Sequence, residues 1–197
     1  GQYADIRREL NIPENVVLSL FVARFTGHKQ PLVLLKAFEK ALLQNGDLYL
    51  LMVGDGDEKA AALEFVKKAG IENRVLFQNF RQDVPDVLAA ADIFILPSLW
   101  EGLPIGLLEA MSMGKAIIAS NVDGTTDIIE NNSNGCLIEL ADMNDRLPDA
   151  IVAMASDETL RRKLGENARE TVKHNFNAAD MTRQIEKEYD KLLTKVN

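Results

Sequence analysis

The sequence is short of the features that usually announce a function. Its 197 residues include a single cysteine, Cys136. That excludes an internal disulfide, and beside Gly135 and the apolar pair Leu137 and Ile138 it reads as a small buried residue rather than a nucleophile. Cations are in deficit, 22 against 30 acids, for a net charge of −8. A general nucleic-acid surface is therefore not expected, and a phosphate-bearing ligand must be held by a few local cations. No signal peptide and no run of about 18–20 apolar residues is found, so the chain reads as soluble and is expected to be cytoplasmic. There is no internal repeat. The turn Gly54-Asp55-Gly56 lacks the third glycine of a dinucleotide fingerprint, and Asp57-Glu58 at the following helix start would repel a pyrophosphate, which argues against NAD binding there.

What is present is an alternation of apolar runs and helical patterns. Residues 1–14 are polar and mixed in charge, with a short helical stretch (Ile6, Leu10) before Pro13, and read as a linker or N-terminal arm. Strands are expected at 16–23, 48–53, 75–77, 93–96, 116–119 and 135–138, and helices at 31–43, 58–69, 84–90, 105–113 and 125–130. Near-uniformly apolar strands in βαβα order imply a parallel sheet covered on both faces. After residue 142 the pattern is wholly helical, at 147–154, 158–173 and 178–195. The fold expected is α/β, a Rossmann-like doubly wound parallel sheet of about six strands with a C-terminal helical tail. Residues 15–175 form the sheet domain and 176–197 the last helix. Ligands bind such sheets at the carboxyl ends of the strands, which gathers the loops 24–29, 54–57, 79–83, 97–104 and 121–126 on one rim.

One stretch, PSLWEGLPIGLLEAMSMGKAIIAS at residues 97–120, concentrates the chemistry. Pro104 suits the first turn of its helix, where the missing N–H is not needed, and Gly114 suits the end, where an αL residue closes the last turn. Glu101 lies in the loop and Glu109 inside the helix. At about 1.5 Å of rise per residue, Glu109 is about 8 Å from the helix start. Both carboxylates can thus border one ligand at the helix N-terminus, near the unpaired N–H groups of residues 102–106. Among Ile105, Leu107, Leu108 and Met111, Glu109 is expected to be buried and to need a partner; ligand hydroxyls would serve. The residues alone leave a second reading equally open, a solvated loop acid and a lone charge on an amphipathic helix.

PSLWEGLPIGLLEAM followed by KAIIAS resembles the Glu-x7-Glu motif of retaining glycosyltransferases, and more narrowly of the group 1 (family four) enzymes, whose GT-B architecture pairs two Rossmann-like domains. The resemblance covers roughly residues 14–190 as the second of those domains. It implies a donor-binding half of an enzyme that moves a hexose from a nucleotide diphosphate sugar, such as UDP- or GDP-hexose, to an acceptor, with retention and without a metal or other cofactor. Glu101 would face the transferred sugar and Glu109 the ribose. Arg24 and Lys29 would hold the diphosphate and stabilise it as it leaves, although His28-Lys29-Gln30 departs from the family's usual Lys-Gly. Leu103, Pro104 and Ile105 would present the helix start to the donor, and Gly54 and Gly56 would wall the nucleotide. Asn79 and Phe80, where the family commonly has Gly, would border the base.

Asp123-Gly124-Thr125-Thr126 looks like the family's Gly-Gly loop near the donor sugar, and a helix cap explains it equally well. The stripe Met181, Ile185, Tyr189, Leu192 and Val196 would cross to the absent first domain, which would also read the acceptor. Attachment of the complete enzyme to a membrane periphery is left open, and the fragment alone is expected to bind donor weakly and transfer nothing. Two alternatives remain. A sugar-nucleotide epimerase of the same architecture would need no acceptor, and a non-catalytic interaction domain would bind no nucleotide.

Overall fold

The computed structural model describes residues 3–194. The six apolar runs become six strands: β1 (Val17–Val22), β2 (Leu48–Val53), β3 (Val75–Gln78), β4 (Ile93–Leu96), β5 (Ala116–Ser120) and β6 (Cys136–Ile138). They form one sheet in the order β3-β2-β1-β4-β5-β6, every pair parallel. The helices are α1 (Ile6–Glu9), α2 (Pro31–Leu42), α3 (Lys59–Ala69), α4 (Val84–Ala90), α5 (Ile105–Ser112), α6 (Met143–Ser156), α7 (Glu158–Asn175) and α8 (Ala178–Thr194). Among the described residues, no helix is long and apolar enough to cross a membrane.

Successive side chains on a strand point to opposite faces, and the sheet fills two cores accordingly. Phe21, Leu50, Met52, Ile95 and Ile118 pack with Leu34, Leu35 and Phe38 of α2, Val66 of α3 and Ile151 of α6. Leu20, Leu51, Val53, Phe94 and Ile117 pack with Ile6 of α1, Leu88 of α4, Leu107 and Met111 of α5 and Ala168 of α7. Strands covered on both faces need no alternation with polar residues, which is why they read as continuous apolar runs.

The chain winds outward from β1 through β2 to β3, then returns by α4 to β4 on the other side of β1. The switch point therefore lies between β1 and β4. There the ladder is short. Against β2, β1 pairs along all six residues, from Val17↔Leu48 to Val22↔Val53. Against β4 it pairs only at Ser19↔Ile93 and Leu20↔Phe94.

Three local features differ from the sequence expectation. Residues 125–130 make turns rather than a helix. The Thr125 hydroxyl donates to the Ser120 and Val122 carbonyls instead (2.6 and 2.7 Å), the local competition that makes such residues poor in helices. Helix α6 starts at Met143, four residues before the expected start, and carries Pro148 inside it. Proline leaves the carbonyl four residues back without its N–H, and Lys40 of α2 donates to that carbonyl, Asn144 O, at 2.7 Å. Finally, the first residues lie against the sheet domain. Asp5 caps α1, Ile6 and Ile12 are buried, and Arg7 reaches Asp92 at 2.8 Å and the carbonyls of Ala90 and Val16.

Arg81 adds a second tie to α1, bonding Glu9 at 2.7 Å and Asp83 at 2.6 Å. The guanidinium holds both carboxyls below their usual range. What these pairs contribute is present above the ordinary carboxylate pKa and lost as pH falls through the lowered values. Glu9 is exposed and Asp83 only half-buried, so salt weakens it.

Cys136 is half-buried on β6, and burial pushes its thiol above the ordinary value. At neutral pH it is expected to react with an alkylating reagent at least about tenfold more slowly in the folded chain than in urea, because the thiolate is the reactive form. Equal rates would show the thiol to be open to solvent. Along α8, Ile185, Tyr189 and Leu192 are exposed. Val196 and the side chain of Met181 lie outside the described residues.

Candidate functional site

The loops that follow β1 and β4 flank the switch point and are stitched together. The Leu99 N–H donates to the His28 carbonyl at 2.7 Å. Beyond that bond, the Lys29 ammonium meets the Glu101 carboxylate at 2.5 Å, with the side chains only 19% and 7% exposed. A buried carboxylate needs compensation, and Lys29 supplies it through Oε1. The second oxygen, Oε2, has no hydrogen-bond donor among the described residues. Glu101 is therefore not a solvated loop acid.

Arg24 stands on the other side of the same loop, exposed, and ion-paired to no described residue. It lines a cavity of about 580 Å³ with Val22, Val53, Gly54, Phe80 and Val84. That cavity is walled mainly by apolar groups; Arg24, Arg81 and Asp55 also line it, and Arg81 is already paired with Glu9 and Asp83. Gly54 and Gly56 earn their positions by close approach: both have positive φ (141° and 152°), and a Cβ on Gly54 would sit 2.0 Å from the Ala23 carbonyl oxygen. Only glycine lets the loop after β2 lie flat on the loop after β1. Phe80 is 76% exposed at the rim.

Lys59, in the first turn of α3, was not singled out from sequence. Its ammonium donates to the Gly54 carbonyl (2.9 Å) and to Asn79 Oδ1 (2.6 Å), tying the glycine loop to the segment after β3. The Asn79 side-chain oxygen is thus already engaged. A cation at a helix N-terminus opposes the helix dipole, and that misplacement was the available signal.

At α5, Pro104 is the N-cap and is buried, while Leu103 and Ile105 are exposed. The N–H groups of Ile105 and Gly106 donate to no backbone carbonyl among the described residues, as the first turn of a helix requires. Glu109 is exposed, which corrects the expectation of a buried carboxylate. Helix α5 buries Leu107, Ala110 and Met111, and Ile105 and Glu109, four residues apart, share the outward stripe. Its carboxylate reaches water without a partner among the described residues. The loop of Gly124 (φ 81°) lies on the backbone of Glu101 and Gly102; a Cβ there would be 2.1 Å from the Gly102 carbonyl oxygen. This loop fixes the height at which Glu101 sits. Thr125, buried and bonded within its own turn, serves that loop and caps no helix.

The site also contains a pair of rings. His28 and Trp100 stack with centroids 4.4 Å apart and planes 12° from parallel. Thr26 Oγ1 lies 3.0 Å from His28 Nδ1 and holds the imidazole in place. The structure thus joins Lys29 to Glu101, collects Arg24, Gly54, Gly56 and Phe80 about one cavity, and reaches Asn79 through Lys59. Glu109 and the α5 N-terminus stand on the same rim without bonds to the rest.

With this geometry in view, the comparisons with known proteins can be stated. The pattern of one protein family, Glycosyl transferases group 1, matches residues 2–171. N-acetyl-alpha-D-glucosaminyl L-malate synthase of Bacillus anthracis is 33% identical over 184 residues, covering 93% of this chain and 48% of that protein. The UDP-Gal:alpha-D-GlcNAc-diphosphoundecaprenol alpha-1,3-galactosyltransferase of Escherichia coli is 32% identical over 184 residues, 91% of this chain and 47% of that protein. The chain spans about half the length of both relatives. The crystal structure of Anabaena Alr3699/HepE in complex with UDP matches with a TM-score of 0.87 at 23% identity, over 94% of this chain and 51% of that one. At that identity the likeness concerns the fold.

Proposed function

This chain belongs to the group 1 glycosyl transferases, and we propose that it is the half of such an enzyme that binds the nucleotide-sugar donor. The observation that carries the reading is the buried Lys29–Glu101 pair at the switch point, set between an apolar cavity guarded by Arg24 and the open N-terminus of α5. The cavity accepts the nucleoside. Arg24 and Lys29 take the diphosphate, Arg through a planar fork and Lys as a point charge. Glu109, already in water on the rim, is free to accept from ribose hydroxyls, and Glu101 Oε2 faces the sugar.

In the reaction proposed, the bond between the anomeric carbon and the diphosphate oxygen breaks and the electron pair leaves with the diphosphate. An acceptor hydroxyl, held by the other half of the enzyme, forms the new bond to the anomeric carbon and gives its proton to the departing diphosphate, so that the products are the hexosylated acceptor and the nucleoside diphosphate. Arg24, Lys29 and the free N–H groups of Ile105 and Gly106 stabilise the charge that develops on the leaving group. We also propose that the enzyme needs no metal, since the cations that would do a metal's work are side chains of the site, and that it retains configuration, as the resemblance of residues 101–109 to the Glu-x7-Glu motif implies. The UDP in the Anabaena complex and the UDP-sugar named for the Escherichia coli relative support a uridine donor.

Calorimetric titration of the chain with UDP, GDP, ADP and their hexose derivatives tests this. One nucleotide should bind selectively, and Arg24→Ala should weaken it about tenfold, the loss of one charge-assisted bond. Glu109→Ala should weaken it less and leave stability unchanged, because the carboxylate has no partner among the described residues. A folded chain that binds none of them at millimolar concentration would remove the donor reading.

A further inference from the structure

The His28–Trp100 stack is not used by any step above. Trp100 is the only tryptophan of the chain and is 62% exposed, yet it is held firmly. The residue before it donates to the His28 carbonyl, and the residue after it is the buried Glu101. One face of its ring is covered by the imidazole, itself fixed by Thr26. The indole therefore presents a flat surface, and the residue that follows it keeps a carboxylate oxygen with no donor among the described residues. Those are the two things a pyranose ring offers partners for. Its hydroxyls need acceptors, and its axial C–H bonds, slightly positive, suit the negative face of an aromatic ring. A nucleobase would stack equally well, but the apolar cavity lies on the opposite side of the switch point, beyond Arg24.

We infer that the Trp100–His28 stack is a platform for a hexopyranose ring, placed so that Glu101 Oε2 meets the hydroxyls of that ring. The inference rests on the donor reading and deepens it. The ring could be that of the transferred hexose or that of a saccharide acceptor, and the chemistry of recognition is the same.

The 197-residue chain itself can be tested, since emission from Trp100 reports on the platform directly. UDP, UDP-glucose, UDP-galactose, GDP and GDP-mannose are titrated separately, and methyl α-glucoside and methyl α-galactoside are then added to the chain saturated with the bare nucleotide. A donor ring on the platform makes the hexose-bearing nucleotide change the emission more, and bind more tightly, than the bare one. An acceptor ring gives the same response to a methyl glycoside instead. By calorimetry, Trp100→Ala should erase that margin, about fivefold for one aromatic stack, and leave the bare nucleotide within about twofold. Trp100→Phe should keep most of the margin. A purely structural tryptophan would weaken bare and hexose-bearing nucleotides alike, and that result overturns the inference. So does a chain that binds bare nucleotide but responds to no sugar, or whose full emission change comes from the bare nucleotide. If no nucleotide binds at all, the donor reading itself fails and this inference goes with it.

Discussion

In the complete enzyme, Lys29→Ala is expected to lower kcat/KM by about 10²–10³-fold, the range found when one preorganised group that stabilises developing charge is removed. The expectation follows from position. Lys29 is mostly buried, its ammonium lies at the switch point between the loops after β1 and β4, and its present partner is Glu101. The same substitution strands the Glu101 carboxylate, 7% exposed, without its cation. Breaking a fully buried pair costs about 3–5 kcal/mol, and with Lys29 partly open to water about 2 kcal/mol is expected here.

A double-mutant cycle separates the two effects. Lys29→Ala with Glu101→Ala removes the stranded charge along with the cation, so it should regain much of the lost stability while remaining as inactive as either single variant. Initial rates on the full-length enzyme and urea midpoints on this chain provide the two readouts. Transfer within tenfold of the parent in Lys29→Ala would show that the ammonium does not meet the leaving group. A double variant no more stable than Lys29→Ala would show that the pair contributes little to the fold.

The largest stability effect is expected at Gly54. Its φ of 141° is reached comfortably by glycine alone, and a Cβ would lie 2.0 Å from the Ala23 carbonyl oxygen. The obstructing atom is backbone, not the tip of a side chain that could swing aside. Gly54→Ala must therefore separate the loops after β1 and β2 or distort both. Backbone strain and overpacking together cost about 3–5 kcal/mol, and in a chain of this size each kcal/mol lowers Tm by about 2–4 °C, so a fall of about 10 °C is expected. Gly46 provides the control, because a Cβ there meets nothing within 4 Å. Gly46→Ala should leave Tm unchanged or raise it slightly by restricting the unfolded chain. A Gly54→Ala chain that melts within 3 °C (roughly one kcal/mol) of the parent would mean the loops are not in register.

The parts of this structure that local physics dictates were readable in advance. The six strands emerged from apolar runs because a parallel sheet covered on both faces leaves no polar positions to interrupt them. Helix α5 was located by Pro104 and Gly114, which act through their own backbones. Glu109 aside, what failed needed a neighbour distant in the chain. Glu109 seemed buried because its sequence neighbours are apolar, yet at 3.6 residues per turn Leu107, Ala110 and Met111 turn inward while Glu109 turns out. Pro148 hid the first turn of α6, since nothing local announces that Lys40 will satisfy Asn144. The His28–Trp100 stack could not be seen for the same reason, arising where separate loops meet, whereas Lys59 left one local signal, a cation in the first turn of a helix.

The two-residue ladder between β1 and β4 has a consequence for how such a site can vary. After Leu20↔Phe94 the two strands follow different partners, β1 continuing with β2 and β4 with β5. The sheet forks over its last rungs, and the opening has the width that right-handed twist gives to two diverging strands. Loop residues decorate the prongs without setting their spread. On the donor reading proposed above, substitution at positions such as 28, 80 or 100 would exchange one base or one sugar for another while the gape of the fork, anchored in two buried cores, stays constant.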